Sequence, residues 1–373
     1  MKKVCVITTA HPAGDNRIFH REVKSLSKMY KVIYITTSGD LKNLGTIELR
    51  YIEGWSNHFQ RFMGNFKAFM VAQKSKADIF HFHDPEFVPF GIILKILKKK
   101  PVIYDIHEDY PAAVMGREWI PRYLRKMISV FVVIGEKLTL RHLTQLIAAS
   151  NSIFKRYSKI NKKITLIDNF PSDEIINKFF KTEKSKNIVC LGDLNEIRGA
   201  KILIPAVIDF IRDRQIDFYL IGDIRPESLK NDLLGGLDNE TMSKIKITGH
   251  KDYEEAIRIT SKMGVGVLSY MNIPNHLNTS PNKLYEYMGL GLAIIFTDLP
   301  NYKSYLQDEM VGISYKDNSC EDLLRALRDI YDGDIPLSKM QENGRKLFLE
   351  KYNWRVEEKK LLELYKYILG DSR

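Results

Sequence analysis

Short apolar runs and longer amphipathic stretches alternate along the first half of the chain. Residues 3–8, 32–36, 47–52, 79–82 and 102–104 are brief, apolar and rich in β-branched and aromatic side chains, so they predict strands. Between them, residues 18–29, 58–75 and 87–97 repeat apolar positions every three or four residues, which predicts helices. The rhythm restarts with strands at 187–191, 217–221, 245–248 and 265–268 and helices at 200–212 and 254–262. Alternation of this kind predicts an α/β chain of two doubly wound, Rossmann-like domains built on parallel sheets. The turn-rich Asp168-Asn169-Phe170-Pro171-Ser172-Asp173 separates the two series. The expected domains are 1–168 and 169–359.

The segment from Ser280 to Pro300 carries the most chemistry. Ser280-Pro281 reads as a helix start, since proline fits a first turn where its missing N–H is not needed. Leu284, Tyr287 and Met288 fall on one helical face, Gly289 and Gly291 are expected to end the helix, and 292–296 reads as a buried strand. A helix start of this kind presents N–H groups and a positive dipole end to an anion. Lys283 adds a charge in that turn, and Glu286, one turn on, can accept two hydrogen bonds from a vicinal diol such as a ribose. Ser280, Asn282 and Leu284 complete the candidate nucleotide-binding set, and phosphate donors beside a diol acceptor describe a nucleoside diphosphate site. The alternative is an ordinary helix–strand unit with an exposed lysine and glutamate.

Composition narrows the field. The 373 residues, 44% hydrophobic, suffice for two ordinary cores. No run of 18 uncharged apolar residues occurs, so no membrane span is expected, and the opening Met1-Lys2-Lys3-Val4 leaves no room for a signal peptide. Cys5, Cys190 and Cys320 are far apart and read as isolated thiols of a reducing cytoplasm. The net charge of +11 is lopsided: residues 1–170 hold 28 Lys and Arg against 14 Asp and Glu, the remainder 29 against 32. No nucleic-acid-binding motif accompanies this excess. Instead Arg61, Lys67, Lys74 and Lys76 are interleaved with Phe59, Phe62, Phe66 and Phe69, Arg117 to Lys126 is similarly mixed, and Lys98-Lys99-Lys100 forms a third cluster. Basic residues among aromatics on amphipathic helices suit an anionic membrane surface. The alternative is that the aromatics face the core and the charges are merely solvated.

Several loops at predicted strand ends add candidates. After the first strand come Gly14, Asp15 and Arg17, which read equally as cleft residues or as a turn and helix cap. His81 and His83 share one side of their strand, as alternation requires. With a neighbouring carboxylate they are adequate metal ligands, but no further ligand stands at a matching spacing, and no metal is expected. The better reading is a cleft wall in which Asp84 or Glu86 contacts acceptor hydroxyls. No Gly-x-Gly-x-x-Gly follows a strand, which argues against a nicotinamide-type dinucleotide site.

Taken together, His11-Pro12 through Phe19, His81 through Glu86, Asp105 through Asp109, Arg198-Gly199 and Pro281 through Met288 resemble the GT-B glycosyltransferases, in particular the retaining group called family 4. The resemblance implies two Rossmann-like domains with the donor bound between them and a final helix, about 354–369, crossing back so that residues 360–373 pack on the first domain. It gives Glu286 the ribose, and His107 a contact with the donor sugar near the anomeric carbon. Leu191 to Gly199 matches the family's phosphate segment, with Gly192 in its turn and Arg198 in one of two expected cationic positions; Asp193 fills the other. Arg198 and Lys283 would neutralise the departing diphosphate without a metal, and Gly14 would lie against the donor phosphate. The family's first glutamate, eight positions before Glu286, is replaced by Asn278, which can hydrogen-bond a sugar but carries no charge. The implied activity is transfer of a sugar from a UDP- or GDP-type donor to a saccharide or lipid-linked acceptor, as in bacterial surface-polysaccharide synthesis, at the inner face of the plasma membrane. A nucleotide-sugar epimerase of the same fold and a non-catalytic binding subunit are the alternatives.

Overall fold

The computed structural model describes the chain apart from Ser38, Asp40, Lys42, Asn43, Ser56, Glu118, Trp119, residues 278–280, Gln307, Asp308, Asp334, Ile335, Ser372 and Arg373. Two compact units result: Met1–Asn169 with Glu357–Arg373, and Phe170–Val356.

The first unit is built on seven parallel strands: β1 (Lys3–Ile7), β2 (Lys31–Thr37), β3 (Glu48–Ile52), β4 (Ile79–Phe82), β5 (Val102–Ile106), β6 (Gln145–Ala148) and β7 (Ile164–Leu166). Their order in the sheet is β3-β2-β1-β4-β5-β6-β7. The chain winds outward from β1 in one direction, then returns to β4 and winds in the other, so the topological switch lies between β1 and β4. Ligands of open α/β sheets bind outside the carboxyl ends of strands at such a point. Side-chain alternation divides the sheet between two layers. Phe80, Phe82, Tyr104 and Ile106 pack with Phe69, Phe87 and Leu94 in one core. His81 and Asp105, from the same strands, face the other way and are fully buried.

That second face is covered by the segment from Ile18 and by the last helix, Trp354–Leu369. The expected regular helix over 18–29 is a π-helical stretch, Ile18–Val23, running into a short α-helix, Lys24–Ser27. From Glu357 on, the last helix belongs to the first unit. Glu357, fully buried, accepts the Asp168 N–H at 3.0 Å, and the buried Tyr365 hydroxyl lies 2.8 Å from His81 Nδ1.

The second unit has six parallel strands: β8 (Ile188–Leu191), β9 (Phe218–Ile221), β10 (Ile245–Ile247), β11 (Val265–Leu268), β12 (Ala293–Thr297) and β13 (Gly312–Tyr315), in the order β10-β9-β8-β11-β12-β13. Here the switch lies between β8 and β11. Ala293 and Ile295 point into one core, Ile294 and Phe296 into the other. The helix Asn282–Leu290 precedes β12 and is buried from Lys283 to its end. Gly291, at φ +68°, terminates it. Gly289 does not: it lies within the helix, where a Cβ would meet Ile176 at 2.8 Å and Phe348 at 2.9 Å. Its role is close packing, which helical spacing alone does not reveal.

The last helix should be tied to the first unit through Tyr365. Tyr365→Phe removes one buried hydrogen bond and leaves the ring, and is expected to lower the stability of that unit by about 1–2 kcal/mol, read as a shift in its urea-unfolding midpoint.

Candidate functional site

At the switch point of the first unit, β1 and β4 both end in loops held together by one carboxylate. Asp84, 1% exposed, accepts hydrogen bonds from the Thr8 hydroxyl at 3.1 Å and the Thr9 N–H, and lies 3.0 Å from His11 Nδ1. Burial opposes its charged form, but the hydrogen bond and charge of His11 and the Thr9 N–H outweigh it and hold the carboxyl below its ordinary range. Asp84 is therefore a loop anchor and not the acceptor contact that the sequence suggested. Glu86 is more open and pairs with Arg61 at 2.6 Å. Asp15 accepts the N–H groups of Arg17 and Ile18 at 2.8 and 2.9 Å, the capping role. Gly14 is exposed, and a Cβ there would meet only Leu41 at 3.5 Å and His20 at 4.0 Å, so neither space nor conformation demands glycine.

Behind these loops sits a buried charge centre. Arg17, 4% exposed, directs Nε at Asp105 Oδ2 (2.8 Å) and Glu22 Oε1 (3.1 Å) and donates from Nη2 to Asp105 Oδ1 at 3.1 Å. It is committed to these carboxylates and is not a free cleft cation. Burial opposes ionisation of Asp105, but the Arg17 guanidinium, followed by His107, holds that carboxyl well below the usual range. Glu22 behaves oppositely: burial, reinforced by the Asp105 charge, raises it well above its ordinary value, so it is the protonated partner. His83 Nδ1 is 3.5 Å from Asp105 and its Nε2 is 3.7 Å from Glu22, while His81 Nε2 is 3.9 Å from Glu22. Burial pushes His83 down to about 4, and burial aided by His83 pushes His81 well below its ordinary value, so both rings are neutral.

His107 stands at the edge of this centre with its side chain 17% exposed. Its Nε2 lies 3.0 Å from Asp105 Oδ2 and 3.3 Å from His83 Nδ1. The ionised Asp105 accepts from Nε2 and so orients the ring. The structure thus supplies His107 with an orienting carboxylate, Asp105, and supports that carboxylate with Arg17.

Glu22, His81, His83 and Asp105 each offer a ligand atom within 4.8 Å of the others, and both Glu22 oxygens and the two Nε2 atoms lack hydrogen-bond partners. The donor types suit a transition metal. A divalent ion there would sit against the Arg17 guanidinium, which already pairs with both carboxylates and supplies the positive charge the cluster needs. Sequence reading missed the roles of Glu22 and Asp105. For Asp105 a signal was present, a lone charge inside the apolar run Val102–Ile106; Glu22 stands among other charges and carries none.

In the second unit, the candidate residues gather at the carboxyl ends of β8 and β11. Gly192 has φ +90° and donates its N–H to Ile221 at 2.8 Å. Asn195 caps the following turn by accepting the Arg198 N–H at 2.9 Å, and Arg198 Nη1 donates to the Asp193 carbonyl at 2.9 Å. Asp193 receives the Asp223 N–H at 2.9 Å, and Arg225 Nε lies 3.6 Å from its carboxylate. A second arginine thus reaches this loop from the end of β9, a position that motif spacing does not indicate. Gly199, at φ +77°, opens the helix Ala200–Ile211, and a Cβ there would meet the Ser269 carbonyl oxygen at 2.0 Å. That approach fastens the segment after β11 to the Arg198 loop: Ser269 Oγ donates to the Arg198 carbonyl at 2.8 Å, and the Met271 N–H to Ile197 at 3.2 Å.

Lys283 is buried with its Nζ 4.8 Å from the Tyr270 ring centre, and Glu286 is 5% exposed on the same helix. Burial raises the pKa of the Cys190 thiol in β8, against the opposing charges of Lys283 and Arg198. Among the described residues, no side chain caps the helices Ala200–Ile211 and Asn282–Leu290. Leu284 is fully buried in the core and donates its N–H to the Pro281 carbonyl at 3.0 Å, so its side chain does not face a ligand. Asn282 is exposed. Asn278 and Ser280 lie outside the described residues.

Two outcomes follow from the buried centre. Arg17→Met should strand the Asp105 charge in the core and destabilise the first unit by about 3–5 kcal/mol in urea unfolding. For His83, the folded pKa of about 4 lies below the ordinary 6.5, so the unfolded chain takes up the proton first. Its contribution is complete above that ordinary value and is lost as pH falls toward 4. Relative to His83→Gln, the wild type should lose about 1.4 kcal/mol of stability per pH unit across this window, measured by urea titration at several pH values.

Comparison with known proteins agrees with this geometry. Residues 13–172 match the family described as Glycosyltransferase Family 4, and residues 185–333 match Glycosyl transferases group 1. An uncharacterized glycosyltransferase of Methanocaldococcus jannaschii is 24% identical over 209 residues, and the match spans 56% of this chain and about half, 51%, of that protein. Sucrose-phosphate synthase from Thermosynechococcus elongatus superposes with a TM-score of 0.73 at 16% identity, covering 100% of both chains. A glycosyltransferase from Rickettsia africae gives 0.71 at 17% identity over 100% and 99% of the two chains. Anabaena HepE in complex with UDP-glucose gives 0.69 at 12% identity over 98% and 100%. With two parallel-stranded units and matches to both family models across most of its length, the chain belongs to the GT-B glycosyltransferases, carrying a Glycosyltransferase Family 4 domain followed by a group 1 domain.

Proposed function

We propose that this protein transfers a sugar from a nucleoside diphosphate donor to a saccharide or lipid-linked acceptor, in the synthesis of a bacterial surface polysaccharide. The observation that carries this reading is that the segment after β11 links the two cations, since Ser269 donates to the Arg198 carbonyl and Lys283 Nζ lies 4.8 Å from the Tyr270 ring centre, beside two helix starts that no described side chain caps. Buried or half-buried cations at helix N-termini suit a diphosphate. Glu286, one helical turn beyond Lys283, then takes the ribose diol. Among the structural relatives, HepE was solved with UDP and with UDP-glucose, which favours a uridine donor over a guanosine one.

In this mechanism the bond between the anomeric carbon and the diphosphate oxygen breaks as the acceptor hydroxyl attacks. Negative charge grows on the leaving diphosphate, and Lys283, Arg198 and the helix N–H groups stabilise it, so the step proceeds without a metal. His107, held by Asp105, and Asn278 contact the donor sugar in the assignment that the resemblance gives. Retention of anomeric configuration is part of the same reading. Asn278 cannot serve as a base, so the proton of the acceptor hydroxyl goes to the diphosphate or to solvent.

Calorimetric titration of the purified protein with UDP and with GDP, in the absence of divalent metal, tests the site. Micromolar binding of UDP is expected, and Glu286→Ala should weaken it about tenfold or more. Binding of neither nucleotide, or unchanged affinity in a folded Glu286→Ala variant, would overturn the assignment.

A further inference from the structure

The first unit carries an 18-residue helix, Arg122–Thr139, that buries none of its side chains fully. A helix of that length in a globular unit ordinarily sinks an apolar stripe into the core. Here Tyr123, Met127, Val130, Phe131, Ile134 and Leu138 are 81, 50, 51, 65, 47 and 55% exposed. At 100° per residue these six positions fall within about 100° of arc, one continuous stripe along roughly 23 Å of helix. Leu124, Ile128 and Val132 occupy the adjoining arc and are only partly exposed. The outward stripe is thus additional to the face that holds the helix in place.

The charges around the stripe have one sign. Lys126 and Lys137 border it and are exposed. The helix contains one acid, Glu136, whose carboxylate is taken by Arg156 at 3.1 Å and the Tyr157 hydroxyl at 2.6 Å. The helix Val88–Lys98 packs against it and exposes Ile96 and Leu97, at 67 and 54%, beside Lys98 and Lys99. The helix His58–Lys74 packs on that one in turn and exposes Phe59 and Phe62, at 74 and 59%. The sequence marked the aromatic residues of this last helix; it did not mark the stripe from Met127 to Leu138.

We propose that the outer face of Arg122–Thr139 lies in the plane of an anionic lipid bilayer, with its apolar stripe in the headgroup–acyl boundary and Lys126 and Lys137 on lipid phosphates. The proposal deepens the reading of a lipid-linked acceptor and rests on it for its purpose, though not for its geometry. A wide apolar stripe bordered by lysines, on a helix too charged to span a membrane, matches the in-plane mode. Charge decides against a second copy of the chain as the occupant. A two-fold interface would set the same basic border against itself, whereas anionic headgroups neutralise it.

The test is co-sedimentation of the full chain with vesicles of equal parts phosphatidylglycerol and phosphatidylcholine, against vesicles of phosphatidylcholine alone. Binding to the anionic vesicles at low salt is expected, weakening as salt rises. The double variant Met127→Glu/Phe131→Glu should weaken it about tenfold or more, and Lys126→Glu/Lys137→Glu should remove the preference for anionic lipid. All four side chains are exposed, so an unchanged thermal midpoint and unchanged UDP affinity serve as controls for folding. Failure to bind anionic vesicles at low salt overturns the proposal, as does undiminished binding by the Met127/Phe131 variant. A concentration-dependent dimer in light scattering that this variant abolishes also overturns it, in favour of a second copy. Vesicle binding without UDP binding would leave the docking face standing and remove the transferase reading; the reverse result would do the opposite.

Discussion

The organisation of the first unit depends on one guanidinium placed where water cannot reach it. Arg17 sits between Asp105 and Glu22, all three at or below 4% exposure. Isolated, any of these charges would be costly to bury; together, with Glu22 protonated, they form one ionised pair and one neutral acid. The pair joins the segment after β1 to the end of β5. It also fixes the face of Asp105 that meets His107, so a candidate site residue takes its orientation from the core beneath it. The neutral His81 and His83 and the Tyr365 hydroxyl fill the rest of the centre, which extends its dependence to the last helix.

The second unit solves a different problem with backbone. Its candidate phosphate site is assembled from two loops at the switch between β8 and β11, and they are joined by a contact that leaves no room for a side chain at Gly199. Ser269 and Met271 complete the stitching by donating to Arg198 and Ile197. Arg198 and Lys283, eighty-five positions apart in sequence, are linked through the segment after β11, where Ser269 donates to the first and Tyr270 lies against the second, because parallel winding places β8 and β11 side by side. Preorganised donors on a rigid support of this kind suit charge that develops during a reaction.

The two units differ in surface character as well as in chemistry. Part of the basic excess of the first 170 residues lies with exposed apolar side chains on the outer faces of the helices His58–Lys74, Val88–Lys98 and Arg122–Thr139. The Phe69 side of the helix His58–Lys74 enters the core while Phe59 and Phe62 stay outside. Core packing and apolar surface thus coexist on one helix, about two turns apart.

The α/β class, the parallel strands and most element positions were legible in the sequence. Short β-branched runs and helical periodicity are local properties, and both sheets bury their strands on two faces. The motifs at strand ends were legible for the same reason, because Arg198, Lys283 and Glu286 sit at fixed distances from a strand or a helix start. Tertiary structure decided which charges are spent inside. Arg17 and Asp84 read as cleft residues in one dimension, yet the fold brings Asp105 and Glu22 to the first and Thr8, Thr9 and His11 to the second. It also decided that Gly289 packs instead of ending a helix, that Arg225 reaches the Asp193 loop, and that the stripe from Tyr123 to Leu138 faces outward. Periodicity reveals that a helix has an apolar face; only the neighbours that are present, or missing, determine what that face touches.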